Sequence, residues 1–173
     1  MSIIIRTEIN SDYTQVHNVN FVAFGNREDE AKLVERIRET ENFISQLSIV
    51  AEEHGEIVGH LLMSKAEIIN GEKRHEVFVL APIAVKPNNQ KQGIGKQLIY
   101  EGLNRCKQLG HFIVLLIGHP SYYPKFGFKP AREYGLELIQ FEVPDEVFMV
   151  CELNEGILNT IKGELKYPSA FFG

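Results

Sequence analysis

The stretch PNNQKQGIGKQLI, residues 87–99, joins an apolar run typical of a buried strand to a run with helical spacing of apolar residues. Gly93 and Gly95 lie one residue apart at this junction. Glycine lets the backbone turn tightly and approach a ligand closely. The first amides of the following helix have no intrahelical acceptor, and together with the helix dipole they attract an anion. The stretch therefore predicts a phosphate-binding turn at the start of a helix.

Two nucleotide-binding motifs are excluded residue by residue. A dinucleotide fingerprint needs a third small residue, and Leu98 stands at that position. A Walker P-loop needs a hydroxyl after its lysine and an early glycine, where this chain has Gln97 and Gln90. The pattern that remains is Q-x-x-G-x-G, formed by Gln90, Lys91, Gln92, Gly93, Ile94 and Gly95.

Composition predicts an ordinary globular protein. The 173 residues fit a single domain, here residues 1–173 with a core over about 3–154 and a docked tail over 155–173. The net charge of −5 argues against nucleic acid as a partner. Cys106 and Cys151 have no metal-ligand spacing, so we expect buried thiols, no metal and a reducing cytoplasmic location. No apolar run approaches membrane-spanning length, so we expect no membrane partner.

Periodicity along the chain predicts the order β-α-α-β-β-β-α-β-α-β-β. Helices are expected over residues 10–24 and 26–43 and from residue 93 to about 110. Strands are expected over residues 3–9, 47–69 as a hairpin turning at His54 and Gly55, 75–85, 111–118, 134–143 and 147–154. The long helix between two apolar strands predicts a parallel crossover in an otherwise antiparallel sheet. The predicted class is therefore α/β (α+β), a mixed, mostly antiparallel sheet flanked by helices.

The Q-x-x-G-x-G pattern resembles the acetyl-CoA-binding motif of the GNAT N-acetyltransferase family. A second segment agrees, because YYPKFGF at residues 122–128 resembles the family's aromatic-rich Y-x-K-x-G-F stretch. With the tail YPSAF at residues 167–171, the chain looks like a bacterial GNAT subgroup carrying Y-Y-x-x-F-G-F. The resemblance implies a GNAT-like sheet in which the fourth and fifth strands are parallel and splayed. It also implies that the backbone amides of the glycine turn cradle the pyrophosphate of coenzyme A.

The strand before the turn contains a proline. Pro82 cannot donate to a strand ladder, so it predicts a bulge or the end of pairing. In the family, the fourth strand separates from the fifth and pairs instead with the pantetheine arm. By this resemblance, Ile83, Ala84 and Val85 would line the arm. Lys91, Lys96 and Lys125 could add local positive charge for the phosphates.

Tyr123 matches the tyrosine that commonly serves the family as general acid. Amine attack on a thioester expels a thiolate, whose conjugate acid has a pKa of about 8.5. A phenol with a pKa of about 10 can deliver a proton to it within hydrogen-bond reach. Tyr122 is the competing candidate, and the spacing to Gly127 favours Tyr123.

The proton acceptor for the amine is left open by the sequence. Many family members carry a glutamate on the fourth strand, where this chain has the apolar residues 79–81. The alternatives are Glu52, Glu53, Glu76 and His119, whereas His60 on an apolar strand fits a structural role better.

The resemblance implies an acetyl-CoA-dependent N-acetyltransferase, with acetyl-CoA as co-substrate and direct attack by the amine in a ternary complex. The acceptor would be a small-molecule or peptide amine. Because the fourth strand lacks a carboxylate at residues 79–81, where many family members carry a glutamate, the alternative is a non-catalytic acyl-CoA-binding module. The apolar tail can cover its own core or that of a second copy, so a homodimer is among the expected assemblies.

Overall fold

The computed structural model describes residues 2–173. Its α-helices are α1 (Tyr13–Ala23), α2 (Asp29–Arg38) and α3 (Ile94–Gln108). Its strands are β1 (Ile3–Thr7), β2 (Phe43–Glu53), β3 (Glu56–Asn70), β4 (Lys73–Val85), β5 (Ile113–Ile117), β6 (Lys129–Pro130), β7 (Leu136–Leu138), β8 (Phe148–Glu152) and β9 (Gly163–Lys166). Within these residues, no helix is both long enough and apolar enough to cross a lipid bilayer.

The strands form one mixed sheet with the order β1-β2-β3-β4-β5-β8-β6. Antiparallel pairs join β1 to β2, β2 to β3, β5 to β8 and β6 to β8. The pair of β4 with β5 is parallel, and α3 connects these two strands. Strand β9 pairs antiparallel with β3 and parallel with β7. The predicted fold class is confirmed, including the parallel crossover.

The chain divides into two compact units. The first comprises residues 2–64, 81–105 and 169–173, and the second comprises residues 65–80 and 106–168. In the first unit, α1 and α2 pack on β2 and β3. The shared apolar core there consists of Val16, Val19, Val34, Ile37, Val50, Ile57, Leu62, Ala84 and Ala170. The guanidinium of Arg36 donates to the carbonyl oxygen of Ala170 at 2.8 Å and fixes the C-terminal segment to α2.

A buried polar chain crosses this core. The side-chain amide of Asn20 donates to Nδ1 of His60 at 3.2 Å, and Nε2 of His60 lies 3.0 Å from Oγ of Ser48. The Ser48 hydroxyl donates to Glu8 at 2.9 Å, and Glu8 is also paired with Arg38. Nδ1 accepts from Asn20 and the Ser48 hydroxyl donates to Glu8, so Nε2 must carry the proton and donate to Ser48. These hydrogen bonds therefore fix His60 as the neutral tautomer protonated at Nε2.

Helix α3 lies very close to β3, because glycines replace side chains at two contact points. A Cβ on Gly59 would lie 3.1 Å from both Cγ2 of Ile94 and Cδ1 of Leu98. A Cβ on Gly102 would lie 3.0 Å from Sδ of Met63. Both distances are tighter than ordinary van der Waals contact, so these glycines set the separation of helix and strand.

Local structure departs from the sequence prediction in several places. Strands β6 and β9 were not predicted, and the strand expected over residues 134–143 covers only Leu136–Leu138. The second helix ends at Arg38 rather than continuing to residue 43, and Phe43 already belongs to β2. The predicted helix between the fifth and sixth strands is wrong: the described residues there form short 3₁₀ turns at Tyr123–Phe126 and Ala131–Tyr134. Gly127 is left-handed (φ 95°) and ends the first of these turns after Phe126.

Candidate functional site

Strand β4 delivers the chain to the glycine turn. In its parallel pairing with β5, Phe78 lies opposite Val114 and Val79 lies opposite Leu115. The pairing ends at Val79, three residues before Pro82. The peptide bond before Pro82 is cis. Beyond it, the side chain of Ala84 is buried in the first unit's core.

The neighbouring positions Ile83 and Val85 are half-buried. The alternation along the strand means that the three predicted pantetheine-lining residues do not present equivalent surfaces. Ile83 and Val85 expose part of their side chains, whereas Ala84 could contribute only its backbone.

Side chains brace the turn from within. The side-chain amide of Gln90 donates to the carbonyl oxygen of Val85 at 3.1 Å, which closes the path from strand to turn. The side-chain amide of Asn89 donates to Glu53 at 3.2 Å and ties the turn to the end of β2. The amide of Gln92 lies 3.5 Å from the carbonyl oxygen of Asn88.

The backbone of the turn is left-handed at two residues. Lys91 has φ 63° and Gly93 has φ 82°. Helix α3 begins at Ile94, and its first intrahelical bond runs from the amide of Gln97 to the carbonyl oxygen of Gly93 at 3.1 Å. The amides of Ile94, Gly95 and Lys96 precede that bond and have no acceptor within the helix. Backbone amides following left-handed residues at a helix start form an anion-binding concavity.

Residues of the turn differ in their exposure to solvent. Lys91, Gln92 and Lys96 are exposed, and Gly95 is half-buried. Ile94 is 1% exposed, since its side chain packs against Gly59. The buried Ile94 therefore anchors the turn, while the two lysines supply charge at its surface.

Tyr123 belongs to the second unit, at the start of the 3₁₀ turn Tyr123–Phe126. Its ring meets those of Tyr122 and Phe128 edge to face, with centroid distances of 5.1 Å and 5.9 Å. Burial, with a smaller contribution from the charge of Tyr122, raises the pKa of Tyr123 to about 12. The hydroxyl therefore stays protonated throughout the neutral range and can act as a proton or hydrogen-bond donor.

Tyr122 has a different setting. The ammonium of Lys125 lies 4.6 Å from the centre of its ring, and the ring also contacts Phe126. Burial raises the pKa of Tyr122 as well. Lys125 thus contacts an aromatic face in the same turn as Tyr123.

The sequence profile of the family described as "Acetyltransferase (GNAT) domain" matches residues 5–131. The chain belongs to the GNAT acetyltransferase family. Two proteins of Escherichia coli (strain K12), both called uncharacterized N-acetyltransferases, are similar to this GNAT chain. YhbS is 31% identical over 142 residues, which cover 82% of this chain and 83% of YhbS. YjhQ is 36% identical over 136 residues, which cover 79% of this chain and 75% of YjhQ.

Two solved GNAT structures share the fold of this chain over nearly its whole length. The crystal structure of E. coli YhbS in complex with CoA has a TM-score of 0.90 at 28% identity, covering 99% of this chain and 92% of that chain. A GNAT family acetyltransferase from Brucella melitensis in complex with acetyl-CoA has a TM-score of 0.79 at 28% identity, covering 98% of each chain. The fold of this GNAT chain is therefore shared by proteins solved with CoA and with acetyl-CoA.

The candidate proton acceptors of this GNAT chain are differently placed. Both ring nitrogens of His60 are hydrogen-bonded, one to the side-chain amide of Asn20 and the other to the hydroxyl of Ser48. Burial lowers the pKa of His60 to about 3. Because it binds no proton near neutral pH, His60 is a structural histidine. Glu52 pairs with Arg6 at 2.9 Å.

The other acceptor candidates keep weaker partners. Glu53 accepts the hydrogen bond from the side-chain amide of Asn89 already described, and Glu76 lies 3.6 Å from His111 and 3.8 Å from Lys65. His119 is exposed. Among the described residues, no group of three or more histidine, cysteine, aspartate or glutamate side chains could hold a metal ion.

Two glycines matter to the candidate residues and were not singled out from the sequence. Gly59 seats the start of α3, and its isolated position in an apolar strand run is the available signal for close approach. Gly118 lies against the ring of Tyr123, and no sequence pattern marks that contact.

Proposed function

We propose that this GNAT chain transfers an acetyl group from acetyl-CoA to an amine by direct attack in a ternary complex. The observation that carries the proposal is the turn before α3, where Lys91 and Gly93 are left-handed and three helix-start amides follow. These amides fit a pyrophosphate because they present donors and the positive end of a helix dipole to one anion. The complexes of YhbS with CoA and of the Brucella protein with acetyl-CoA support it.

The proposal assigns roles to the glycine turn, to the end of β4 and to Tyr123. The amides of Ile94, Gly95 and Lys96, which follow the left-handed Gly93, hold phosphate, and the side chains of Lys91 and Lys96 add positive charge. The backbone of residues 83–85 pairs with the pantetheine arm. Acetyl-CoA supplies the activated acetyl thioester. The Tyr123 hydroxyl donates a proton to the departing thiolate. The attacking nitrogen releases one proton to solvent, and solvent returns one proton to the Tyr123 oxygen, so protons balance over the reaction.

The raised pKa of Tyr123 refines its role. A phenol with a pKa of about 12 is a weaker acid than a thiol with a pKa of about 8.5, so complete transfer in the ground state is unfavourable. A hydrogen bond to the sulfur as charge develops there is favourable in a site of low polarity. Tyr123→Phe should therefore reduce turnover by about 100-fold and leave the dissociation constant of acetyl-CoA within about twofold.

The first experiment measures cofactor binding. Acetyl-CoA at about 100 times its dissociation constant should stabilise the fold by about 2.7 kcal/mol in a thermal-shift titration. Gly93→Val should weaken this binding at least tenfold, because a β-branched residue disfavours the left-handed turn. Gly110→Val is the matched control, since Gly110 ends α3 with φ 85° and equally open space around it. Equal affinity in both variants would contradict the proposed pyrophosphate position.

The second experiment measures catalysis. Release of the CoA thiol is followed with a panel of polyamines, amino acids, aminoglycosides and peptides with free N-termini. Turnover of any panel amine supports the transferase. The absence of a carboxylate at residues 79–81 favours one alternative, an acyl-CoA-binding module, which predicts binding without turnover across the panel.

A further inference from the structure

Gly118 follows β5 at a point where the backbone is fixed. The last residue of that strand, Ile117, pairs with Phe148 of β8. The amide of Gly118 donates to the carbonyl oxygen of Val147 at 2.9 Å. Backbone pairing therefore fixes the strand end to β8 and the residue before it, and this pairing resists a shift of the strand to accommodate a side chain at position 118.

The ring of Tyr123 occupies the space that a side chain at position 118 would need. A Cβ on Gly118 would lie 2.8 Å from Cδ2 of Tyr123 and closer still to Cε2. It would also lie 3.1 Å from Cδ1 of Leu116. Since carbon atoms prefer separations of about 3.5–4.0 Å, the ring would have to leave.

The contacts around the Tyr123 ring limit the ways in which the ring could be displaced. Phe128 and Tyr122 meet it edge to face, at interplanar angles of 74° and 82°. The backbone beneath it is held because the amides of Tyr122 and Tyr123 bond to the carbonyl oxygen of His119 at 3.2 Å and 3.4 Å. The displacement must therefore be taken up by the side-chain torsions of Tyr123, which carry the hydroxyl away with the ring.

We propose that Gly118 is a positioning residue for the Tyr123 hydroxyl. The missing side chain at position 118 lets the ring lie against the strand end and fixes where the hydroxyl points. The catalytic part of this inference rests on the proposed donor role of Tyr123. A misplacement of about 1 Å at a reacting centre can cost about 100-fold in rate, so Gly118→Ala should lower kcat by about 10- to 100-fold.

The kinetic test is a double-mutant cycle with the panel amine that turns over fastest. Gly118→Ala should lower kcat in the wild-type background and change it less than twofold in the Tyr123→Phe background, because the displaced hydroxyl is already absent. The dissociation constant of acetyl-CoA should stay within about twofold in all four proteins. Equal losses in both backgrounds would overturn the proposal, since Gly118 would then act independently of the hydroxyl.

A second measurement does not depend on activity. The protein has six tyrosines, so ring-labelled tyrosine gives six sets of NMR signals, and Tyr123→Phe assigns one of them. Gly118→Ala should remove the cross-peaks between Tyr123 and Phe128 and shift the Tyr123 signals as ring currents change. Unchanged signals would overturn the positioning. If Tyr123→Phe alone leaves turnover intact, the donor role fails, while the NMR result still decides whether Gly118 places the ring.

Discussion

The imidazole of His60 is completely buried, and this burial lowers its pKa to about 3. In the unfolded chain, the pKa returns to about 6.5. The unfolded state therefore binds more protons between these values, and the free energy of unfolding must fall as the pH drops through that window. The slope can reach about 1.4 kcal/mol per pH unit, and it vanishes below pH 3.

His60→Gln should lower stability at pH 7, because the Asn20 amide loses its acceptor, at a cost of about 1–3 kcal/mol. The difference from wild type should shrink as the pH falls from 6.5 to 4, since glutamine does not titrate. Urea denaturation at a series of pH values measures both effects. Parallel curves for the two proteins would contradict the assignment. His17→Gln, at a half-buried position beside Glu35, controls for the loss of an imidazole.

At the scale of elements, substitutions at two points of the interface between α3 and β3 should differ in their effect on cofactor binding although both affect stability. Gly59→Ala introduces a Cβ at 3.1 Å from Ile94 and Leu98 and should push the first turn of α3 outward. We expect acetyl-CoA to bind about tenfold more weakly, because the amides of Ile94 and Gly95 move with that turn. Isothermal titration calorimetry measures the change.

Gly102→Ala is the matched control for Gly59→Ala. Its Cβ would meet Sδ of Met63 at 3.0 Å, an equally tight contact further along the same helix. The loss of affinity should be confined to Gly59→Ala, while both variants change the melting temperature. If both variants weaken binding equally, the effect is a general loosening of the helix and the turn is not specifically seated by Gly59.

Elements whose signals are local in the chain could be predicted from the sequence. The hairpin at His54 and Gly55 and the turn at Gly93 depend on residues that adopt positive φ, and both form as expected. The ends of α2 were mispredicted because helical spacing of apolar residues does not mark where a helix stops. The stretch after β5 was mispredicted because short 3₁₀ turns carry no periodic signal. The contacts of Gly59 and Gly118 could not be predicted, since each joins residues whose proximity only the tertiary fold creates.

At the scale of the whole molecule, the chain's last residues complete a core begun by its first helices. Ala170 is 8% exposed among residues of α1, α2 and β2, and Arg36 bonds its carbonyl oxygen from 134 positions earlier. Ala170→Asp should cost at least about 2 kcal/mol, because it places an unpaired carboxylate in an apolar core. Guanidinium denaturation measures the loss.

Phe172→Asp provides the comparison for Ala170→Asp, since Phe172 is 52% exposed in the same segment. We expect a smaller loss there than at Ala170, because the Phe172 side chain already lies partly in water. Similar losses at both positions would mean that charge in the tail, rather than burial of Ala170, controls stability.

The left-handed turn before α3 also has a consequence for exchange with heavy water. The amide of Gln97 is the first in the helix to hold a backbone acceptor, at 3.1 Å from Gly93. In the free protein, deuterium should therefore enter Ile94, Gly95 and Lys96 rapidly and Gln97 onward slowly, which puts a sharp boundary inside one helix. If pyrophosphate oxygens accept from those three amides, saturating acetyl-CoA will move the boundary three residues towards the N-terminus.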